Sequence, residues 1–379
     1  MILIKNAIAL FFVLLIFSCS DKKKYAVEKY QTKEIIIKGA EKKSNYFSLD
    51  KLNNKTVFSY IDYTNKKLIA KIIEDKETRI IPLDKLTDID YIFNYKITSL
   101  DSVFLFYQIT NEITLINSSG ELLSRWRINK PLGENAVKDY CFYTFYQNDP
   151  IIQNNKIYCS VLRNTLSLNT TNNIKEFFKM PTELVIELND TAYTCTNKVG
   201  RFPSIYQQGN SFYSNYVFHC INKDKQLVYS FNMVDSIFVC NEKGLLYSSP
   251  CKSKFITEKP RPFPNDSLFN FSYLNGYALK QAMYMQIYYN ADLKLYYRIA
   301  RHSQRLLDEA GQKNLFHPWS IIIMNDKLEV MDEIYMDYKL YSNFLFCVSP
   351  EGFIVRNNET LNNEVDSIKL YFFKLKYEN

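Results

Sequence analysis

The stretch Glu112-Ile113-Thr114-Leu115-Ile116, Asn117-Ser118-Ser119-Gly120, Glu121-Leu122-Leu123-Ser124-Arg125-Trp126-Arg127-Ile128 is the clearest statement of fold in the chain. Two apolar, β-branched-rich runs flank four turn residues, with Asn first and Gly fourth, the signature of a type I turn in a β-hairpin. In the second run Leu122, Trp126 and Ile128 alternate with Arg125 and Arg127, which predicts a half-solvated outer strand. The same turn grammar returns at Asn241-Glu242-Lys243-Gly244 and, with proline, at Ser349-Pro350-Glu351-Gly352. Those glycines are 124 (244 − 120) and 108 (352 − 244) residues apart, or 62 and 54 if each interval holds two units.

Around this hairpin the chain is a succession of short Tyr-, Phe-, Ile- and Val-rich runs separated by Asn, Asp, Lys and Ser clusters, an all-β pattern. The segment from Tyr30 to Asn379 holds 350 residues, so the turn spacing suits a six-bladed β-propeller, with seven blades as the nearest competitor and a pair of β-sandwiches further away. Radial repetition gives so many strands short, protected edges, and it lets inner strands such as Val103-Phe104-Leu105-Phe106-Tyr107 be apolar on both faces. The isolated run Glu34-Ile35-Ile36-Ile37-Lys38 is placed to complete the last blade and close the ring. A helix is expected only at Ile299–Lys313, with Leu306, Leu307 and Ala310 on one side, as an inserted loop.

Length and composition support one large core. Of 379 residues 47% are hydrophobic and 59 (30 Tyr, 27 Phe, 2 Trp) are aromatic, which excludes a disordered or collagen-like chain. A net charge of +7, spread along the chain, does not imply a nucleic-acid partner. Nine Gly and three His leave little material for phosphate loops or His-rich metal sites, and no cofactor is implied.

The N-terminus carries an address. Lys5 precedes eleven apolar residues, Ala7 to Phe17, and then Ser18-Cys19-Ser20-Asp21 and three lysines. At about 1.5 Å per residue this run reaches roughly half of a hydrocarbon core, so it reads as a secretory signal, not a spanning helix. Leu15-Ile16-Phe17-Ser18-Cys19 resembles a bacterial lipobox, with Phe17 a looser fit at its position. The division follows: residues 1–18 are a lipoprotein signal peptide, 19–31 the lipidated Cys19 and a polar tether, and 32–379 the propeller. An incidental Cys in an ordinary secretory signal is the alternative. Two or more acyl chains on Cys19 hold a protein stably at a membrane. Ser20 and Lys22-Lys23-Lys24 favour the periplasmic face of the outer membrane, with surface display as the alternative.

Seven cysteines follow Cys19, mostly within strand-like runs where a thiol acts as a small hydrophobe, so no disulfide framework is assigned, and Cys220–Cys240 is the one pairing considered. Asp-Ser or Asp-Thr before an apolar residue recurs at Ser102, Thr191, Ser236, Ser267 and Ser367. Each reads as a turn that launches a strand. The triplets also resemble the O-glycosylation signal of secreted Bacteroidetes proteins.

Tyr284-Met285-Gln286-Ile287-Tyr288-Tyr289-Asn290 followed by Leu295-Tyr296-Tyr297-Arg298-Ile299 resembles a segment of the TolB-like six-bladed β-propeller lipoproteins of Bacteroidetes. Arg201-Phe202-Pro203-Ser204, Val228-Tyr229-Ser230-Phe231 and Lys252-Ser253-Lys254-Phe255-Ile256 add to the likeness. It spans about Arg201 to Arg356 and implies a propeller with a lipid anchor and no transferable activity.

For chemistry, no Gly-x-Ser-x-Gly elbow is present, no Cys-x-x-Cys or His-x-x-x-His occurs, and His219, His302 and His317 are scattered. Paired carboxylates of a glycosidase cannot be selected among 40 acids, and Asp308-Glu309 read as the solvated side of the expected helix. Arg201, Phe202 and Tyr206, then Arg261 and Phe263, then His317 and Trp319, combine cations with aromatics and form the candidate binding face. Their alternative role is to plug gaps between blades. The function expected is a non-enzymatic envelope lipoprotein that binds or scaffolds a protein or peptide partner; the alternative is a glycan-binding or glycan-cleaving one.

Overall fold

The computed structural model describes residues 24–36, 47–128, 140–142, 148–163, 171–189, 192–196, 199–208, 216–258, 260–262, 276–277, 280–304, 317–358 and 367–378. They form six antiparallel sheets arranged as a six-bladed β-propeller. Blade 1 holds β2 (Phe47–Leu52), β3 (Lys55–Asp62), β4 (Lys67–Ile72) and β5 (Glu77–Pro82), and blade 2 holds β6 (Ile92–Ser99), β7 (Ser102–Tyr107), β8 (Glu112–Ile116) and β9 (Leu122–Arg127). In blade 3 both β10 (Tyr140–Phe142) and β11 (Ile151–Gln153) pair with β12 (Lys156–Arg163), followed by β13 (Glu183–Leu188) and β14 (Tyr193–Thr196). Blade 4 is β15 (Val217–Ile221), β16 (Leu227–Phe231), β17 (Ser236–Asn241) and β18 (Gly244–Pro250); blade 5 is β19 (Met283–Asn290), β20 (Leu295–Arg301), β21 (Trp319–Met324) and β22 (Val330–Met336). Blade 6 combines β23 (Tyr341–Ser349), β24 (Gly352–Asn357) and β25 (Ser367–Glu378) with β1 (Lys24–Ile36) from the other end of the chain.

The ring is therefore closed by an N-terminal strand, but a longer one than the sequence suggests. β1 begins at Lys24, pairing with Glu378, and runs to Ile36, pairing with Ser367. Residues 24–31, expected as part of a polar tether, thus belong to this strand, with a register shift between Lys29 and Gln31.

Second and third strands are buried on both faces, as in β16, β20 and β21, whereas the outer β9 and β18 are mostly exposed. The apolar core lies in wedges between neighbouring blades: Val57, Leu68, Ile92 and Leu105 join blades 1 and 2, and Phe58, Tyr60, Ile354 and Leu370 join blades 1 and 6. β9 is outer, as its alternation predicts, yet Leu122 is exposed: the register shifts between its pairing with Ile116 and that of Ser124 with Leu115, which breaks the alternation.

The Asn117 turn forms as expected. The Gly120 N–H donates to the Asn117 carbonyl at 3.0 Å, and Asn117 Oδ1 accepts from the N–H groups of Ser119 and Glu121. Gly120 has φ +73°, and a Cβ there would stand 2.0 Å from the Pro82 carbonyl oxygen. Gly120→Ala is accordingly expected to cost about 2–3 kcal/mol in urea unfolding. Asn222 and Asn325 build the same turn with Lys225 (φ +59°) and Leu328 (φ +62°) in the glycine's place, so glycine spacing undercounts it.

The helix expected at Ile299–Lys313 does not begin at Ile299. Ile299–Arg301 continue β20, and residues 305–313 lie outside the described ones. A strand buried on both faces carries no two-residue period, and its apolar run mimics helical spacing. α1 is Thr171–Phe178, between β12 and β13, and buries Ile174, Phe177 and Phe178.

Candidate functional site

Several concave regions open among the described residues, including one at blade 4 and one on the propeller axis. The first is a cleft of about 920 Å³ at blade 4, walled by the segment that enters the blade, by β16 and β17 with their turn, and by the segment that leaves it. Its entry depends on Gly200, which at φ +72° has no room for a side chain: a Cβ would lie 2.3 Å from Thr182 Oγ1. The chain then bridges Arg201 to Pro181 and turns Phe202 inward, 4.9 Å from the Phe178 ring, 5.2 Å from Tyr206 and 5.8 Å from Phe231. Phe231, Met233, Phe238, Leu245 and Ile256 continue the apolar lining, and Arg201, Asp235, Lys243, Lys252 and Glu258 supply charges. Beside it the outer strand β18 has one edge that no described strand pairs with, and it exposes Leu245 (61%), Leu246 (45%) and Tyr247 (45%).

The wall is held by an arginine that no solvent reaches. Arg298 of β20 is fully buried, donating from Nη1 to the Cys251 carbonyl at 3.0 Å, from Nη2 to the Val234 carbonyl at 2.7 Å, and from Nε to Ser230 Oγ at 2.9 Å. Its guanidinium stacks 3.8 Å from the Tyr284 ring centre.

The expected binding face is only partly assembled. Arg201 and Phe202 line the cleft, and Arg261 lies at its margin, bonded through Nη2 to Glu258 at 3.2 Å. Tyr206 and Trp319 are core residues at 0% and 1% exposure, so their rings offer nothing to a surface ligand. Tyr206 Oη accepts the Met233 N–H at 3.0 Å, and Trp319 Nε1 donates to the Tyr341 carbonyl at 2.9 Å, tying blade 5 to blade 6. His317 is half-buried against the His302 carbonyl, and burial, helped by the Arg301 charge, pushes its pKa down to about 4. His317 and Trp319 line no part of the cleft, and Phe263 lies outside the described residues.

Of the Asp-Ser and Asp-Thr triplets, Ser102, Ser236 and Ser367 each open a strand, as turn residues should. Ser367 is buried with its hydroxyl donating to Glu34 Oε1 at 2.6 Å, so glycan attachment there would open the ring seam. Thr191 and Ser267 lie outside the described residues. Cys220 and Cys240 are both free thiols on strands separated by β16, which rules out the pairing considered.

The second concave region, about 350 Å³, lies on the propeller axis, where the inner strands meet, and sequence reasoning missed its polar residues. Lys96 is flanked by Asp50 and Asp149, the latter at 3.4 Å. Burial opposes its ammonium, but the two carboxylates outweigh that and hold its pKa above the usual lysine value. Burial likewise raises Asp149 to about 6. His219 faces Glu183 through Nδ1 at 2.9 Å and the Asp149 carbonyl through Nε2 at 3.0 Å. Both ring nitrogens face groups that can accept, an arrangement that favours the imidazolium. Burial disfavours that charge; Glu183 more than compensates and raises the pKa. These residues come from blades 1 to 4 and are far apart in sequence, so no local motif announces them.

A group with a raised histidine pKa contributes stability that is present below the ordinary imidazole value and lost as pH rises through the folded value. His219→Gln should therefore cost on the order of 2 kcal/mol at pH 6 and clearly less at pH 9, read by urea unfolding at both. An equal loss at both pH values would refute the charged assignment.

Chemically, Asp50 and Asp149 share one ammonium, that of Lys96. Among the described residues no group of three or more His, Cys, Asp and Glu could hold a metal ion.

The molecule is thus a six-bladed β-propeller with an ion-paired axis and a lateral apolar cleft at blade 4. The chain belongs to the family described as "Domain of unknown function (DUF4221)", whose model matches residues 14–335. A crystal structure of a DUF4221 member from Bacteroides vulgatus is 16% identical, covering 94% of this chain and 100% of its own, with a TM-score of 0.74, which supports the shared fold. A protein of unknown function from Bacteroides caccae (11% identity, 83% and 94% coverage, TM-score 0.37) and virginiamycin B lyase from Staphylococcus aureus (10%, 93% and 99%, 0.40) are more distant. No curated relative matches the chain in sequence.

Proposed function

We propose that this chain is a cell-envelope lipoprotein of the TolB-like propeller kind, held at the periplasmic face of the outer membrane through lipid on Cys19, and that its propeller is a non-enzymatic binding module for a protein or peptide partner. The lipobox-like Leu15–Cys19 supports the anchor, because lipid transfer needs a thiol nucleophile at that position. One observation carries the binding reading: the blade 4 cleft, apolar inside and charged at intervals, adjoins a strand edge that no described strand covers, with three exposed apolar side chains. An extended peptide added to β18 would pair its backbone with that edge and place alternate side chains in the cleft.

Intact mass spectrometry checks the anchor, and Cys19→Ala is expected to release the protein from membranes; an unmodified N-terminus downstream of Cys19 would refute it. Protease treatment of intact cells should leave the protein whole, since loss without lysis would place it on the surface. A photocrosslinking residue at Leu246 should capture a protein, and Phe238→Asp should abolish capture. Binding to a glycan array, or turnover of a glycan, would overturn this reading in favour of sugar recognition or cleavage.

A further inference from the structure

We infer that the rim of blades 4 and 5 carries a membrane-docking patch, formed by Phe255 and Tyr335 with Lys254, that rests on the lipid surface in which the chain's own anchor sits. This rests on the lipidation of Cys19 proposed above. The argument starts from where β1 begins. The Tyr25 N–H donates to Asp332 Oδ2 at 2.9 Å, so the first residues of β1 are laid against the outer strand of blade 5. The other oxygen of Asp332 holds Lys254 Nζ at 3.4 Å, and Lys254 lies 5.2 Å from the Phe255 ring centre. Phe255 meets Tyr335 edge-on at 5.5 Å, and both rings pack on His302, at 5.3 and 5.6 Å.

Phe255 and Tyr335 are nevertheless 39% and 46% exposed. Cys19 precedes Lys24 by five residues (24 − 19), a fully extended reach of about 17 Å. Acyl chains on Cys19 therefore keep this rim, and no distant part of the ring, within that reach of the headgroups. Exposed aromatic rings beside lysines are what a membrane–water interface accommodates: the rings settle at headgroup level and the cations meet anionic lipid. Lys22, Lys23 and Lys24 add to the same charge. The propeller would then stand on edge, with the axial channel parallel to the membrane.

Both native tryptophans are buried, Trp126 at 5% and Trp319 at 1%, so a new surface tryptophan reports on its own site. Phe255→Trp and Tyr335→Trp would be compared with Tyr91→Trp, a control at a residue that is 56% exposed between blades 1 and 2, across the ring. Each variant of the chain from Ser20 onward, with a hexahistidine tag in place of lipidated Cys19, is bound to nickel-lipid vesicles of phosphatidylethanolamine and phosphatidylglycerol containing dibrominated phosphatidylcholine. Emission from the Phe255→Trp and Tyr335→Trp variants is expected to fall about twofold on binding, while emission from Tyr91→Trp holds. Unquenched emission from both rim variants in vesicle-bound protein, or stronger quenching of Tyr91→Trp, would overturn the patch. Because the tag replaces the lipid, this result is independent of whether intact mass finds Cys19 acylated.

Discussion

Removal of residues 24–36 is expected to abolish cooperative folding of the propeller, not to trim a loose arm. β1 pairs with β25 along its whole length, buries Tyr25 and Ile35, and receives the Ser367 hydroxyl on Glu34. Without it β25 becomes an open edge, and Ile368, Leu370 and Phe372 lose part of their cover. Two buried side chains at about 1.5–3 kcal/mol each, with the lost ladder, make a loss on the order of 5 kcal/mol, comparable with the whole stability of many domains. Thermal unfolding followed by far-ultraviolet circular dichroism checks it. A truncated protein melting sharply at the original temperature would show that the seam contributes little. Restoration of the melt by a synthetic 24–36 peptide would show that the strand acts by pairing and not by chain continuity.

How much of this was legible in the sequence differs from element to element. The hairpin around Asn117 and the turn spacing led to an all-β ring of six blades, because turn chemistry and strand alternation are local properties. The start of β1 was not legible: Lys24–Gln31 form an outermost strand in which Glu28, Lys29, Tyr30 and Gln31 are exposed, and such a strand has the composition of a linker. Aromatic residues misled for the opposite reason. Tyr206 and Trp319 lie near cations and prolines in sequence, as surface rings do, but packing against residues distant in sequence decides their burial. The axial Asp50, Lys96, Asp149 and His219 were invisible on the same ground. In the Tyr296-Tyr297-Arg298 run all three side chains are buried, and Arg298 supplies the guanidinium behind the cleft wall.

Arg298→Met is expected to cost about 3–5 kcal/mol, the largest effect of any single substitution considered, with a fall in melting temperature on the order of 10 °C. The side chain lies at 0% exposure and its donors point at main-chain carbonyls of Val234, Cys251 and, at 3.4 Å, Phe231. The Val234 carbonyl belongs to the turn between β16 and β17 and the Cys251 carbonyl to the exit from β18, while Phe231 ends β16 and its carbonyl also accepts the Val234 N–H at 3.4 Å. Methionine has similar length and fills much of the volume, so the loss measures the orphaned carbonyls and the vanished stacking on Tyr284 more than a cavity. Arg298→Lys keeps the charge but replaces a planar fork by a single ammonium, which cannot reach all of these acceptors at once, and should recover only part of the stability. Because Phe231, Val234 and Tyr284 also line the cleft, crosslinking from Leu246 should weaken in both variants at temperatures where the fold persists. Melting curves of Arg298→Met and Arg298→Lys that both overlay the native one would mean that the carbonyls find other donors, and that the guanidinium is not what shapes this wall.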